Sequence, residues 1–240
     1  KRKEWFTLLT YTLPLLPYTI GQWVMVSSNR YLIAYQISDE AAGLYSIAFL
    51  VASPIVLLYG IIGMVCGKDI LERYSRWDNK FFRTKSILIF IGCFFVCMAT
   101  SLLLFYLDKE YWGFLKNYDD AMVPTIIFIT GSFFPLLANA IYGNILFYHR
   151  RTGLLALSTA ISGVINVVLT FYFIPKVGIV GAAMAAMVAN AIYSFLTCFW
   201  SGRITKRLNK GFTDELMLLS SIALIFSIMF YFKNFFIGLI

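Results

Sequence analysis

The chain alternates long uncharged stretches with short charged connectors. The uncharged stretches cover residues 5–38, 41–67, 86–107, 121–148, 152–175, 177–202 and 216–232, with Arg30 inside the first of them. A helix needs about 20 residues to cross the ~30 Å hydrocarbon layer of a bilayer, and each stretch is close to that length or longer. No alternation of apolar and polar residues marks a barrel strand, and backbone groups in lipid must bond within their own segment. The pattern therefore predicts an all-α, polytopic transmembrane helical bundle.

Composition points the same way. Hydrophobic residues make up 60% of the chain and charged residues only 13%, whereas a soluble domain is roughly half apolar and about a quarter charged. The four cysteines all lie inside apolar stretches, which is typical of packing residues and not of a disulfide framework. We predict no cofactor and no metal site.

Basic residues lie mostly on one side of the predicted spans. When the connectors are assigned alternately to two sides, most of the 20 Lys and Arg residues fall on the side of residue 1. The positive-inside rule places that side in the cytoplasm, as expected for a multi-pass protein of the bacterial inner membrane. Because the bases are confined to connectors while the aromatic residues lie in the spans, a nucleic-acid partner is not predicted.

Polar residues inside the spans are the candidates for function. Every acidic residue lies in or beside a connector, whereas Arg30 lies within the first span. A buried guanidinium costs ~2.5–3.5 kcal/mol on insertion scales, so it needs a partner, a water-filled cavity or a path to the interface. Two interpretations of Arg30 stay open: it reaches the outer headgroups, or it lines a wet cavity as an anion site. Gln22 and Asn29 are seven residues apart and share a face of the same helix.

Amides also occur in three later spans. Some of them continue stripes of Ser and Thr at helical spacing, and such stripes either line a cavity or pack helices together. Small residues around Gly181 are interpreted as close-packing positions. The predicted substrate-binding set is Arg30, Asn29, Gln22, Asn139, Asn144, Asn166 and Asn190.

Three stretches together resemble a transporter family. Residues 13–52 contain a double-proline helix, an Arg-Tyr pair and a Gly-x-Tyr-Ser helix start; residues 144–166 form the second stretch. Residues 166–190 contain Asn, then Ile-Pro, then Gly-x-x-Gly-Ala-Ala. These features resemble the polysaccharide-exporter (O-antigen flippase) branch of the multidrug/oligosaccharidyl-lipid/polysaccharide (MOP) flippase superfamily. Members of that branch often have Asp where this chain has Asn29.

The resemblance implies both an architecture and a function. Residues 1–200 would form a six-helix lobe similar to the second lobe of the flippase fold, and 201–240 a basic cytoplasmic linker with an additional transmembrane helix. An amino-terminal lobe of the same protein is expected to precede residue 1. The implied activity is not enzymatic: it is flipping of a polyprenyl-diphosphate-linked oligosaccharide across the inner membrane for surface polysaccharide (O-antigen or capsule) biosynthesis. Membrane lipid is the other expected partner.

The sequence is compatible with two other functions. One is a drug/cation antiporter of the same superfamily, which usually needs a buried carboxylate. The other is a polyprenyl-dependent membrane glycan polymerase or acyltransferase, for which the short loop containing Asp119 and Asp120 is the available candidate.

Overall fold

The computed structural model describes residues 12–75 and 119–204, together with positions 88, 92, 95 and 99. All regular elements in these ranges are helical. They are α1 Leu15–Gln36, α2 Asp39–Ser75, α3 Asp119–Gly131, α4 Phe133–Leu137, a π-helix Ala138–Gly143, α5 Asn144–Tyr148, α6 Thr152–Val177 and α7 Ile179–Ile204. The predicted all-α class is confirmed. The predicted span 216–232 lies outside the described residues, as does the span 86–107 except for four helical positions.

Short junctions separate the long helices. Ser38 precedes α2, and its hydroxyl oxygen accepts a 3.1 Å bond from the backbone N–H of Ala41, while Asp39 and Glu40 lie in the first turn of the helix, where they favour its dipole. Gly178 alone separates α6 from α7 and has φ +65, a left-handed conformation that glycine adopts without strain. These junctions place neighbouring helices side by side in the bundle.

Helix α2 is longer than the span predicted at 41–67. It continues to Ser75 and has 37 residues, so it extends about 55 Å at 1.5 Å per residue. That length exceeds the ~30 Å hydrocarbon core. The charges after Gly67 end the apolar stretch, but neither proline nor glycine follows to end the helix before Ser75.

The span predicted at 121–148 is confirmed as helical but is not one regular helix. A break at Ser132 separates α3 from α4, and the π-helix then joins α4 to α5. Pro135 lacks the N–H that a regular helix would bond at that position. Irregular turns of this kind are frequent at functional sites.

Small residues let the helices approach closely, as predicted around Gly181. A Cβ atom built on Gly181 would lie 2.7 Å from the carbonyl oxygen of Phe173 in α6, and one on Gly21 would lie 3.1 Å from the Cβ of Thr159. Ala182, Ala185 and Ala189 of α7 are fully buried. Among the described helices, α6 and α7 are long and apolar enough to cross a membrane.

We predict that Gly181→Ala destabilises the protein by about 1–3 kcal/mol, the usual cost of overpacking, because the new methyl group would meet backbone that cannot rotate away. Gly153→Ala in α6 is the matched control: nothing lies within 4 Å of its built Cβ, and alanine favours the helix by up to ~1 kcal/mol. Thermal unfolding of the two purified variants measures both effects. Equal unfolding temperatures would contradict the close packing of α6 and α7.

Candidate functional site

A partly enclosed cavity of about 520 Å³ lies between α1, α2, α7 and the broken segment that begins at α3. Its volume is within the range of about 300–1,000 Å³ that is typical of small-molecule sites. The residues that line it are Tyr18, Gln22, Met25, Val26, Tyr45, Phe49, Val56, Gly60, Met64, Lys68, Phe128, Ser132, Pro135, Leu136, Asn139, Asn144, Phe147, Ala186 and Asn190.

Four of the seven predicted site residues come together in this lining. They are Gln22 of α1, Asn139 of the π-helix, Asn144 of α5 and Asn190 of α7. Lys68 of α2 is the one charged side chain that the described residues contribute to the lining, and none of the described lining residues is acidic. The polar character of the cavity is therefore mainly that of neutral amides, which both donate and accept hydrogen bonds.

Three aromatic rings form one wall of the cavity, and we call Tyr45, Phe49 and Phe128 the aromatic wall. The ring of Phe128 is 5.0 Å from that of Tyr45 and 5.7 Å from that of Phe49, in edge-to-face geometry. Such pairs contribute ~0.5–1.5 kcal/mol beyond their buried area. The lining of this cavity therefore combines an aromatic surface with a set of amides.

Arg30 contacts the aromatic wall but is not among the residues that line the cavity. Its guanidinium carbon lies 5.1 Å from the centroid of the Phe49 ring, within the range of a cation–π interaction. Its Nε is buried without a hydrogen-bond partner. The structure therefore places this cation beside the cavity, in contact with a side chain that lines it.

Asn29 and Asn166 lie elsewhere, in a buried hydrogen-bond network. The side-chain NH₂ of Asn29 donates to the Tyr45 hydroxyl at 2.8 Å and to the Ala182 carbonyl at 3.4 Å. Its Oδ1 accepts from the NH₂ of Asn166 at 2.9 Å and from the Thr170 hydroxyl at 3.0 Å. One amide thus joins α1 to α2, α6 and α7, and we call these five residues the Asn29 network.

Both amides are fully buried in the described part of the chain. Asn29 and Asn166 have 0% exposed surface, and the NH₂ of Asn166 also donates to the carbonyl of Met25 and the hydroxyl of Ser28. Neither amide is in the cavity lining. Asn29 and Asn166 bond neighbouring helices at zero exposure, and Ser158 and Ser162 of the same stripe are also fully buried, as expected for residues that pack helices together.

Sequence reasoning missed one functional feature, the orientation of Asn139. Tyr193 of α7 is fully buried and its hydroxyl donates to Oδ1 of Asn139 at 2.9 Å. Tyr193 lies one helical turn from Asn190, so the two share a face of α7, and this spacing is the sequence feature that indicates that Tyr193 lies near the cavity. The partner in the π-helix could not be read from periodicity, because the π-helix interrupts the regular spacing of the fourth span.

No protein-family model matches the sequence, and no curated protein matches it. A solved structure does match: the outward-facing conformation of a multidrug resistance MATE family transporter of the MOP superfamily, with a TM-score of 0.62 and 18% identity. The match covers 95% of this chain and 55% of that transporter. The chain has the fold of about half of that transporter. The likeness confirms the predicted fold; membership of the MOP superfamily and of its polysaccharide branch stays a prediction.

We predict that Asn29→Ala lowers stability by about 1–3 kcal/mol, because it removes the four buried hydrogen bonds by which this side chain joins α1 to α2, α6 and α7. Ser46→Ala is the control, since the Ser46 hydroxyl only donates to the Ala42 carbonyl of its own helix. Thermal unfolding in detergent measures the difference. An Asn29→Ala protein as stable as Ser46→Ala would contradict the structural role of the network.

We further predict that cysteines report the boundary of the cavity. In a background without the four native cysteines, Asn190→Cys reacts with a water-soluble thiol reagent because Asn190 lines the cavity, whereas Ser158→Cys, at 0% exposure, does not. Mass spectrometry of the labelled protein measures the extent of reaction. Equal labelling of both positions would contradict the structure, in which position 190 lines the cavity and position 158 is buried.

Proposed function

We propose that this chain is one lobe of a membrane transporter that flips a polyprenyl-diphosphate-linked oligosaccharide from the cytoplasmic to the outer leaflet of the bacterial inner membrane. The observation that carries the proposal is the cavity, whose lining contains neutral amides, an aromatic wall and no acidic side chain among its described residues. The shared MOP transporter fold supplies the setting.

Amides and aromatic rings are suited to the sugar part of such a substrate. An amide both donates to and accepts from hydroxyl groups, and the apolar face of a sugar ring packs on an aromatic ring. The cavity is mostly apolar with few convergent polar groups, as small-molecule sites usually are. The polyprenyl tail would remain in the bilayer while the sugar crosses through the cavity.

The diphosphate needs a cation, and the chain places one toward each end of the cavity, since Phe49 and Lys68 are 19 residues apart in α2. Lys68 lies in its lining, and Arg30 lies against Phe49 of the aromatic wall. Arginine forms paired hydrogen bonds with phosphate oxygens. In this proposal Arg30 leaves the Phe49 ring when the diphosphate arrives, and the buried, unpartnered Nε gains an acceptor.

Transport also needs a second lobe. The chain spans 55% of the transporter that it matches, and we propose that an amino-terminal lobe of the same protein completes the cavity. Alternating access then arises when one lobe rocks against the other around the site. The Asn29 network would keep this lobe rigid during that motion.

A drug/cation antiporter is the second candidate, favoured by the matched structure, which is a multidrug resistance transporter. The aromatic wall would suit a flat organic cation. The lining described for this chain, however, offers a lysine and no carboxylate. This composition favours a neutral or anionic solute over a cation.

We predict that the complete protein in proteoliposomes moves a fluorescent polyprenyl-diphosphate oligosaccharide between leaflets. Arg30→Ala and Arg30→Glu should slow this transport about 10- to 100-fold, as expected for loss of a charged hydrogen bond worth ~1.5–3 kcal/mol, whereas Arg30→Lys should retain part of it. Leaflet-specific quenching of the fluorophore measures the rate. Normal rates in the Ala and Glu variants would contradict the role of Arg30.

The same vesicles discriminate the second candidate. A cationic dye such as ethidium, offered under an imposed proton or sodium gradient, should not accumulate if the lipid-linked oligosaccharide is the substrate. Gradient-driven accumulation of the dye, without flipping of the lipid, would identify an antiporter and contradict the proposal.

A further inference from the structure

We propose that Gln22 and Asn139 form a subsite that recognises the acetamido group of an N-acetylated amino sugar. The inference rests on the proposed function, because it assumes that a sugar enters the cavity. It extends that function by naming the sugar substituent that this lobe recognises and the two side chains that bind it.

Asn139 presents a hydrogen-bond donor to the cavity. Its Oδ1 already accepts from the buried Tyr193 hydroxyl at 2.9 Å, so the carbonyl side of this amide is turned toward α7. The remaining NH₂ group can donate to a ligand, and the side chain is in the cavity lining. Tyr193 is packed with Met25, Ala138 and Ala189, and Tyr18 lies against this cluster. Tyr193 is therefore a positioning residue that fixes which end of the Asn139 amide faces the cavity.

Gln22 presents a second donor. Its Nε2 is buried and has no hydrogen-bond partner, although its side chain lines the cavity. A buried polar group without a partner is costly and rare in native proteins. A rotation of the Gln22 side chain would bring this donor into the cavity, where an oxygen acceptor of a bound molecule would satisfy it together with the NH₂ group of Asn139.

The surroundings favour a neutral acceptor over a phosphate. Moving a charged group into an apolar site costs far more than moving a neutral one unless it is paired, and neither Gln22 nor Asn139 carries a charge. A carbonyl oxygen has two lone pairs and can accept from both amides. The acetamido group combines such an oxygen with a methyl group, for which Met25 and Tyr18 in the same lining provide apolar contact. A hexose hydroxyl lacks that methyl group.

Two disaccharides that differ only in this group provide the test. N,N′-diacetylchitobiose and cellobiose share a β-1,4-linked glucose framework, and the first has acetamido groups where the second has hydroxyls. Their binding to the purified complete protein is measured by saturation-transfer NMR. We expect diacetylchitobiose to bind at least about tenfold more tightly, with its acetamido methyl protons receiving the strongest transfer.

Variants identify the residues. Two variants each remove one donor: Gln22→Ala, and the nearly isosteric Asn139→Asp, which replaces the NH₂ group by an acceptor. Each should lower the affinity for diacetylchitobiose about tenfold, the usual order for one lost hydrogen bond. Tyr193→Phe should lower the affinity for diacetylchitobiose as well. The double variant Asn139→Asp/Tyr193→Phe should bind it no more weakly than Asn139→Asp alone. Gln36→Ala, an amide change on the same helix as Gln22 but outside this cavity, should have no effect.

Each outcome is decisive. Equal affinity for the two disaccharides, no binding by either, or wild-type affinity in folded Gln22→Ala and Asn139→Asp proteins would overturn the inference. Flipping of a lipid-linked oligosaccharide in the vesicle assay would then still support the proposed function, with a sugar that is recognised differently. Conversely, selective acetamido binding by a protein that flips no lipid-linked oligosaccharide would retain the subsite and overturn the proposed function.

Discussion

The described part of the fold depends on the side-chain amide of Asn29. This one group donates to α2 and α7 and accepts twice from α6, so four helices meet at a single fully buried position. An amide is suited to the position because it supplies donors and acceptors together. An aspartate at residue 29 could not donate to the carbonyl of Ala182.

The network also fixes one side of the cavity. Tyr45 accepts from Asn29 and at the same time packs against Phe128, whose ring also contacts Phe49. Arg30, next to Asn29 in the chain, lies over Phe49. Two consecutive residues of α1 thus support the aromatic wall without lining the cavity. An aromatic wall and amides in one lining can select a solute by shape and by hydrogen bonding together.

Periodicity predicted the architecture well. The spans predicted at 152–175 and 177–202 correspond to Thr152–Val177 and Ile179–Ile204, because a glycine with positive φ ends the first helix and each helix is apolar throughout its length. The extension of α2 and the break after α3 were missed. Charges end a membrane span without ending a helix, and a π-helix leaves no simple composition signal.

The site could be predicted only in part, for a geometrical reason. Gln22 and Asn29 share a face of α1, as the spacing of seven predicts, yet Gln22 lines the cavity and Asn29 does not. Near Asn29 the face meets the backbone of α7 at Ala182, whereas Gln22 faces the same cavity as Ala186 and Asn190. Spacing identifies residues on one face of a helix, but the distance to the neighbouring helix changes along that face. The amides were therefore correctly recognised as a set, and their division between cavity and network required the structure.

A structure of the complete protein with a polyprenyl-diphosphate oligosaccharide bound, determined by electron cryo-microscopy, tests the proposed function most directly. We expect sugar density in the cavity, in contact with the aromatic wall and within hydrogen-bond distance of Gln22 and Asn139, with the Asn29 network unchanged. Sugar density bound elsewhere, with this cavity filled by lipid tails or closed by side chains, would contradict it.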